Sequence, residues 1–238
     1  MNRLNQPVGP VIAGWNPPPV PPRAELVGRT CRLEPLNPAR HAADLHAAYS
    51  LDGAGRNWTY LGYGPFASAS DYRAWVEHSC AAADLQFYAV VAPATQRAVG
   101  VASYLRMAPA SGSIEVGHLN YSPLLQRTVA ATEAMALMME QAFALGYRRY
   151  EWKCDALNAP SRAAARRLGF TFEGIFRQAT VVKGRNRDTA WYSVIDKEWP
   201  ALQATFTRWL APSNFDDQGQ QRVPLSTLRG QVNHDRTG

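Results

Sequence analysis

The segment from Tyr121 through Ser122, Pro123, Leu124 and Leu125 to Gln126, Arg127, Thr128, Val129, Ala130, Ala131 and Thr132 passes from a proline-terminated, strand-like stretch straight into a helical pattern. The first amides of a helix have no partner inside it and lie at the positive end of its dipole. A pyrophosphate could therefore accept from the N–H groups of residues 127–132, with Thr128 and Thr132 adding hydroxyls and Arg127 a charge. The plainer reading is that Thr128 only caps the helix. A second concentration of chemistry lies downstream. Residues 148–187 hold ten Lys or Arg against three Asp or Glu, in a chain of 238 residues with a net charge of +6, so the remainder is close to neutral. Such a segment serves as a solvated face, a nucleic-acid footprint or a dock for a small phosphate-rich ligand. Cys31, Cys80 and Cys154 lie far apart, and the five His show no ligand spacing. Neither a disulfide framework nor a metal site is expected.

The elements that must position these groups follow from periodicity. Residues 1–24 are rich in Pro and Gly and read as an extended polyproline arm, either disordered or wrapped on a partner subunit. A domain is expected over residues 25–211, and a polar, mobile tail over 212–238. Arg29–Leu36 alternates like a strand, and Asn37-Pro38 opens a helix to Tyr49. A loop rich in Gly and aromatics precedes a second helix, which Ser70-Asp71 starts. Gln86–Pro93 and Ala98–Met107 predict a hairpin, and Ser113–Pro123 a further strand. Thr128–Gly146 has helical periodicity, Arg148–Asp155 alternates, and Asn158–Leu168 is a short helix closed by Gly169. Two strands around a turn at Lys183–Asp188 and a last helix over Glu198–Leu210 complete a β-α-α-β-β-β-α-β-α-β-β order, which indicates one α/β layer domain. The mean hydropathy is −0.30, with no apolar run of spanning length and no signal-peptide pattern at the start. A soluble, cytoplasmic protein with no membrane partner is the expectation.

The run Ile114–Phe170 resembles the GNAT superfamily of acetyl-CoA-dependent N-acetyltransferases, most closely the branch that acetylates the alanine or serine N-termini of ribosomal proteins. Gln126–Ala131 matches the Gln/Arg-x-x-Gly-x-Gly/Ala loop of that family, with Val129 in place of its first Gly. Asn158-Ala-Pro-Ser161, followed by Arg167-Leu-Gly-Phe170, matches its Asn-x-x-Ser helix and terminal Gly-Phe. The resemblance implies a GNAT fold of α/β (α+β) class: a mixed, mostly antiparallel, V-shaped central sheet flanked by helices. Pantetheine would lie in the split between the strand ending near Tyr121 and the strand ending near Asp155.

The resemblance also implies site residues. Backbone groups of Leu119, Asn120 and Tyr121 would bond pantetheine, residues 126–132 the pyrophosphate, Asn158 the arm, and Arg162 or Arg166 the nucleotide end of coenzyme A. Glu115, eleven residues before Gln126, matches the general base of histone-acetylating relatives; the alternative is a strand carboxylate in a salt bridge. His118 is the other candidate base or a pocket wall. Ser161 matches the catalytic serine of the ribosomal branch, or is a first-turn residue bonding backbone. The aromatics Trp58, Tyr60, Tyr63 and Phe66 lie where the family builds its acceptor wall, unless they cover the core. The implied activity is metal-free acetyl transfer to a primary amine, either a small aminoacyl or drug-like metabolite or a protein N-terminus. A homodimer stays open. The rival reading is an RNA- or ribosome-binding module using residues 148–187, although these lack the interleaved aromatics of an RNA-binding pattern.

Overall fold

The computed structural model describes residues 3–234. Short strands β1 (Leu26–Val27) and β2 (Arg32–Pro35) precede α1 (Pro38–Tyr49) and α2 (Ala69–Ala81). Both helices start where a side chain accepts from the first turn: Asn37 from the Arg40 amide, and Ser68, rather than Ser70, from the Asp71 amide. Next come β3 (Leu85–Ala92), β4 (Arg97–Ala108), β5 (Ser113–Tyr121), α3 (Val129–Ala144), β6 (Arg149–Asp155) and α4 (Ala159–Arg167). The chain ends with β7 (Thr171–Val182), β8 (Arg185–Ile195), α5 (Trp199–Leu210) and α6 (Leu225–His234).

The eight strands form one sheet in the order β1-β2-β3-β4-β5-β6-β8-β7. Every neighbouring pair is antiparallel except β5 and β6. Parallel neighbours need a crossover connection, and α3 is that crossover. This mixed sheet flanked by helices is the GNAT architecture that the resemblance implied.

Both faces of the sheet are covered, which is why β3 reads as a continuous apolar run rather than an alternating one. Phe87, Ala89 and Val91 join Leu45, Tyr49, Tyr72 and Val76 of α1 and α2 in one core. Tyr88 and Val90 face the other core, with Met135, Met138 and Met139 of α3 and Phe206 and Trp209 of α5. Helices α3 and α4 end in the same way. Gly146 and Gly169 take positive φ, and the following amides, of Tyr147 and Phe170, reach back to the carbonyls of Ala142 and Ala165. This is the left-handed helix stop that a residue without Cβ makes easily.

Both ends of the chain differ from a picture of loose extensions. The proline arm lies along its own subunit: Pro18 and Pro21 are buried, Gln86 donates to the Pro21 carbonyl and Tyr88 to that of Pro22. The Arg148 guanidinium stacks over Trp15 at 5.6 Å. Within the stretch 212–238, expected as a mobile tail, Leu225–His234 forms α6, with Leu225 and Leu228 buried in the larger core; residues 235–238 of that expectation lie outside the described residues. Its polar composition concealed two apolar residues at helical spacing, enough to seat one face. Among the described residues no helix is long and apolar enough to cross a membrane.

Candidate active site

The site begins where one ladder stops. β5 and β6 pair only from Ser113 to Val116 against Arg149 to Trp152. Beyond that, Gly117–Tyr121 and Lys153–Asp155 diverge. On the other side of β5, His118 and Leu119 occupy the space opposite Ala102 alone, a bulge in which His118 takes φ 50°. A bulge bends its strand and re-aims the side chains around it. A cavity of about 200 Å³ opens at the split, with Gly117, His118 and Leu119 on one wall and Lys153, Cys154 and Asp155 on the other. Tyr60 and Gly62 from the aromatic loop, Asn158 and Ser161 from α4, and Arg187 from β8 complete it.

Charges in this cavity are mostly neutralised in pairs. Glu115 is buried, with one oxygen 2.7 Å from Arg106 Nη1 and the other 2.8 Å from Lys153 Nζ. Lys153 also meets Glu151 at 2.7 Å and lies 3.8 Å above the Trp191 ring. Glu115 therefore has the geometry of a strand carboxylate clamped between two cations. His118 stacks on Tyr63 and approaches its hydroxyl at 3.2 Å. Burial, then Arg106 and Arg187, push its pKa down to about 4, so the ring is neutral near pH 7 and a weak base there.

That depression has a measurable consequence. His118 is neutral in the folded protein but titrates near its ordinary 6.5 when unfolded. Its contribution to stability is present above 6.5 and is lost as pH falls through about 4. His118→Asn, a residue that tolerates positive φ, should flatten the fall in urea midpoint between pH 7 and pH 4. An unchanged fall would place the acid sensitivity elsewhere.

Helix α4 presents the remaining candidates. Asn158 caps it by accepting from the Ser161 amide at 3.1 Å. The Ser161 hydroxyl accepts from the Trp152 indole at 3.0 Å. At the start of α3, Thr128 caps through the Ala131 amide. The amides of Arg127, Val129 and Ala130 have no acceptor within the described chain, the arrangement an anionic ligand would complete. Gln126 points back, donating to Asn57 and to the Tyr121 carbonyl. The Asn120 carbonyl takes the Tyr49 hydroxyl, and Leu119 is the member of the Leu119–Tyr121 trio that lines the cavity.

Other expected residues lie elsewhere. Thr132 is buried and accepts from Arg167 at 2.9 Å. Arg162 turns to the Tyr192 hydroxyl and the Ala156 carbonyl, over Phe172. Arg166 is exposed on α4. The aromatic set divides: Trp58 is core, in edge contact with Tyr49 and Phe66. Tyr63 backs His118, and Tyr60 reaches the cavity, its hydroxyl on the Leu157 carbonyl. Lys183, at the β7–β8 turn, donates to the Trp58 and Gly64 carbonyls, each at 2.8 Å, and so pins this loop. Much of the basic segment is thus engaged internally, including the Arg149 pairs with Glu151 and Glu173.

Arg106, Lys153 and Arg187 were not singled out in the sequence. Only the alternation of β6, which sets Lys153 opposite Tyr150, Trp152 and Cys154, hinted at one of them.

Comparison with known proteins identifies the family and the fold. Residues 31–171 match the family model described as an acetyltransferase (GNAT) domain. A GCN5-related N-acetyltransferase from Brucella melitensis is 47% identical over 92% of this chain and 100% of its own, with a TM-score of 0.90. A probable GNAT-family acetyltransferase from Chromobacterium violaceum is 45% identical over 82% of this chain and 98% of its own, with a TM-score of 0.77. A ribosomal L7/L12 α-N-protein acetyltransferase shares the fold, at 22% identity over 72% of this chain and 93% of its own, with a TM-score of 0.63. The search of curated proteins found no match.

Proposed function

The chain belongs to the GNAT acetyltransferase family, and from that premise we propose that it moves the acetyl group of acetyl-CoA to the primary amine of an acceptor bound in the cavity. The acceptor is a small amine or a protein N-terminus, attacking directly in a ternary complex. The observation that carries this reading is the split between β5 and β6, followed along the chain by the unpartnered amides of Arg127, Val129 and Ala130, with Gln126 beside them reaching back to the Tyr121 carbonyl at the end of β5. A thioester arm fits a gap between diverging strands, and its pyrophosphate fits amides at a helix start. Val129 fits as well, since its backbone amide is free while its side chain packs on the core.

The thioester supplies an activated acyl group, and the chain's residues do the rest. Backbone at Leu119 polarises the acetyl carbonyl from the bulged strand. Asn158 holds the arm beside α4. The amine attacks in its neutral form, and the proton it sheds as the amide forms goes to water. Glu115 keeps Arg106 and Lys153 in place, and neutral His118 forms an uncharged wall. Ser161, oriented by the Trp152 indole, gives its proton to the departing sulfur and regains one from the water that took the amine's proton.

Acetyl-CoA at about 100 times its dissociation constant should add about 2.7 kcal/mol of stability. That is a rise in Tm of roughly 5–10 °C for a chain of this size. Differential scanning fluorimetry measures it directly, and no shift at saturating ligand would refute the proposed activity.

A further inference from the structure

Two charged side chains of the cavity stand outside the pairing around it: Asp155, which accepts from the Leu157 amide, and Arg187 on β8. Arg106 and Lys153 each hold Glu115, and Lys153 holds Glu151 as well. The Arg187 side chain forms no ion pair or hydrogen bond with any described residue, and its Nε is buried without an acceptor. The neighbouring Asp188 is turned the other way, accepting from the Gln178 amide and Asn186. An Nε–H buried without an acceptor is costly, and the planar fork of a guanidinium suits a carboxylate or phosphate. Arg187 lines the cavity together with His118 of β5 and Cys154 of β6. The free amides that suit the cofactor's own phosphates lie at the start of α3 instead.

We propose that Arg187 selects an acceptor carrying a carboxylate or phosphate close to its reactive amine, binding that anion while the amine faces the split between β5 and β6. This rests on the acetyl-transfer reading and adds the substrate class to it. Such an anion completes the charge pairing that the chain leaves open on β8. Tyr60 and Gly62, in the loop that Lys183 pins, form the neighbouring wall. A free amino acid and a peptide with an acidic second residue present the same chemistry, so both belong in the test.

The experiment uses matched pairs: phenylalanine against phenylalaninamide, and the peptides Ser-Asp-Ala-Ala and Ser-Asn-Ala-Ala with amidated C-termini. Binding is measured by calorimetry in the presence of coenzyme A, and turnover by thiol release. The anionic member of at least one pair should bind about tenfold or more tightly than its neutral partner; which pair does so identifies the source of the anion. Arg187→Gln should erase that preference by raising KM for the anionic member, with kcat little changed, and Arg187→Lys should restore part of it. Circular dichroism verifies that the variants fold; if Arg187→Gln does not, the wild-type preference and the lysine variant decide.

Equal binding within both pairs, or no binding of the anionic members, overturns the proposal even if acetyl-CoA itself binds. A fall in kcat shared by all acceptors would also overturn it, assigning Arg187 to the leaving sulfur. Failure of acetyl-CoA to raise Tm is a separate result that strikes the acetyl-transfer reading itself.

Discussion

Ser161→Ala is expected to lower kcat about 100-fold, the smaller end of what a positioned general acid contributes, while the dissociation constant for acetyl-CoA stays within about twofold. The asymmetry follows from geometry. Ser161 lines the cavity, and its hydroxyl accepts from the Trp152 indole. With its lone pair occupied by an indole donor, its own proton is the part left to give. A thiolate leaving the acyl carbon needs that proton only as the bond breaks, so the loss should appear in turnover rather than in binding. Steady-state kinetics with calorimetric titration separate the two. Unchanged kcat would leave Ser161 as a first-turn residue of α4 and nothing more.

The largest loss of stability is expected at Glu133, a residue without a part in the chemistry. It lies in the second turn of α3, is 5% exposed, and takes the amides of Arg29, Thr30 and Cys31 together with the Thr30 hydroxyl. One carboxylate thus ties the β1–β2 turn to the crossover helix. Gly28 belongs to the same fit, since a Cβ there would meet the Glu133 carboxyl carbon at 2.6 Å. Glu133→Ala strands three amides in a dry setting, at about 1–3 kcal/mol for each one that water fails to reach. A loss of about 3 kcal/mol or more, or roughly 6–12 °C in Tm, is expected. Glu133→Gln keeps one acceptor oxygen and should lose less. Thermal and urea unfolding measure both, and a loss below about 1 kcal/mol for the alanine variant would show that water takes over as acceptor.

The helices and most strands were legible because each carries its own local signal: Asn37-Pro38, the cap at Thr128, and the glycines at 146 and 169. Side-chain direction was harder to read. The chain shows that Trp58, Tyr60, Tyr63 and Phe66 are aromatic and close together, but not that Trp58 faces the core while Tyr60 turns to the cavity; the turns of the loop decide that. Charge behaved likewise. The excess at 148–187 suggested one basic surface, yet Arg149, Lys153, Arg162, Arg167 and Lys183 each find a different internal partner. Arg187 was lost in that excess because its distinction is the absence of a partner, a property of tertiary structure alone. The burial of α6 was missed for a related reason: two leucines in a polar stretch matter only when a core lies beneath them.

The single parallel junction in the sheet has a consequence for descent. Because β5 and β6 run the same way, the chain must travel back along the sheet between them, and α3, which makes that journey, starts close to where the two strands part. Gap and helix start are therefore delivered together by the route of the backbone, whatever side chains occupy them. Mutation can retune what binds there, as a valine at position 129 or an arginine at 187 would, but it cannot move the locus without rerouting the chain. Across lineages that keep this path, acceptors should diversify far faster than the place where they react.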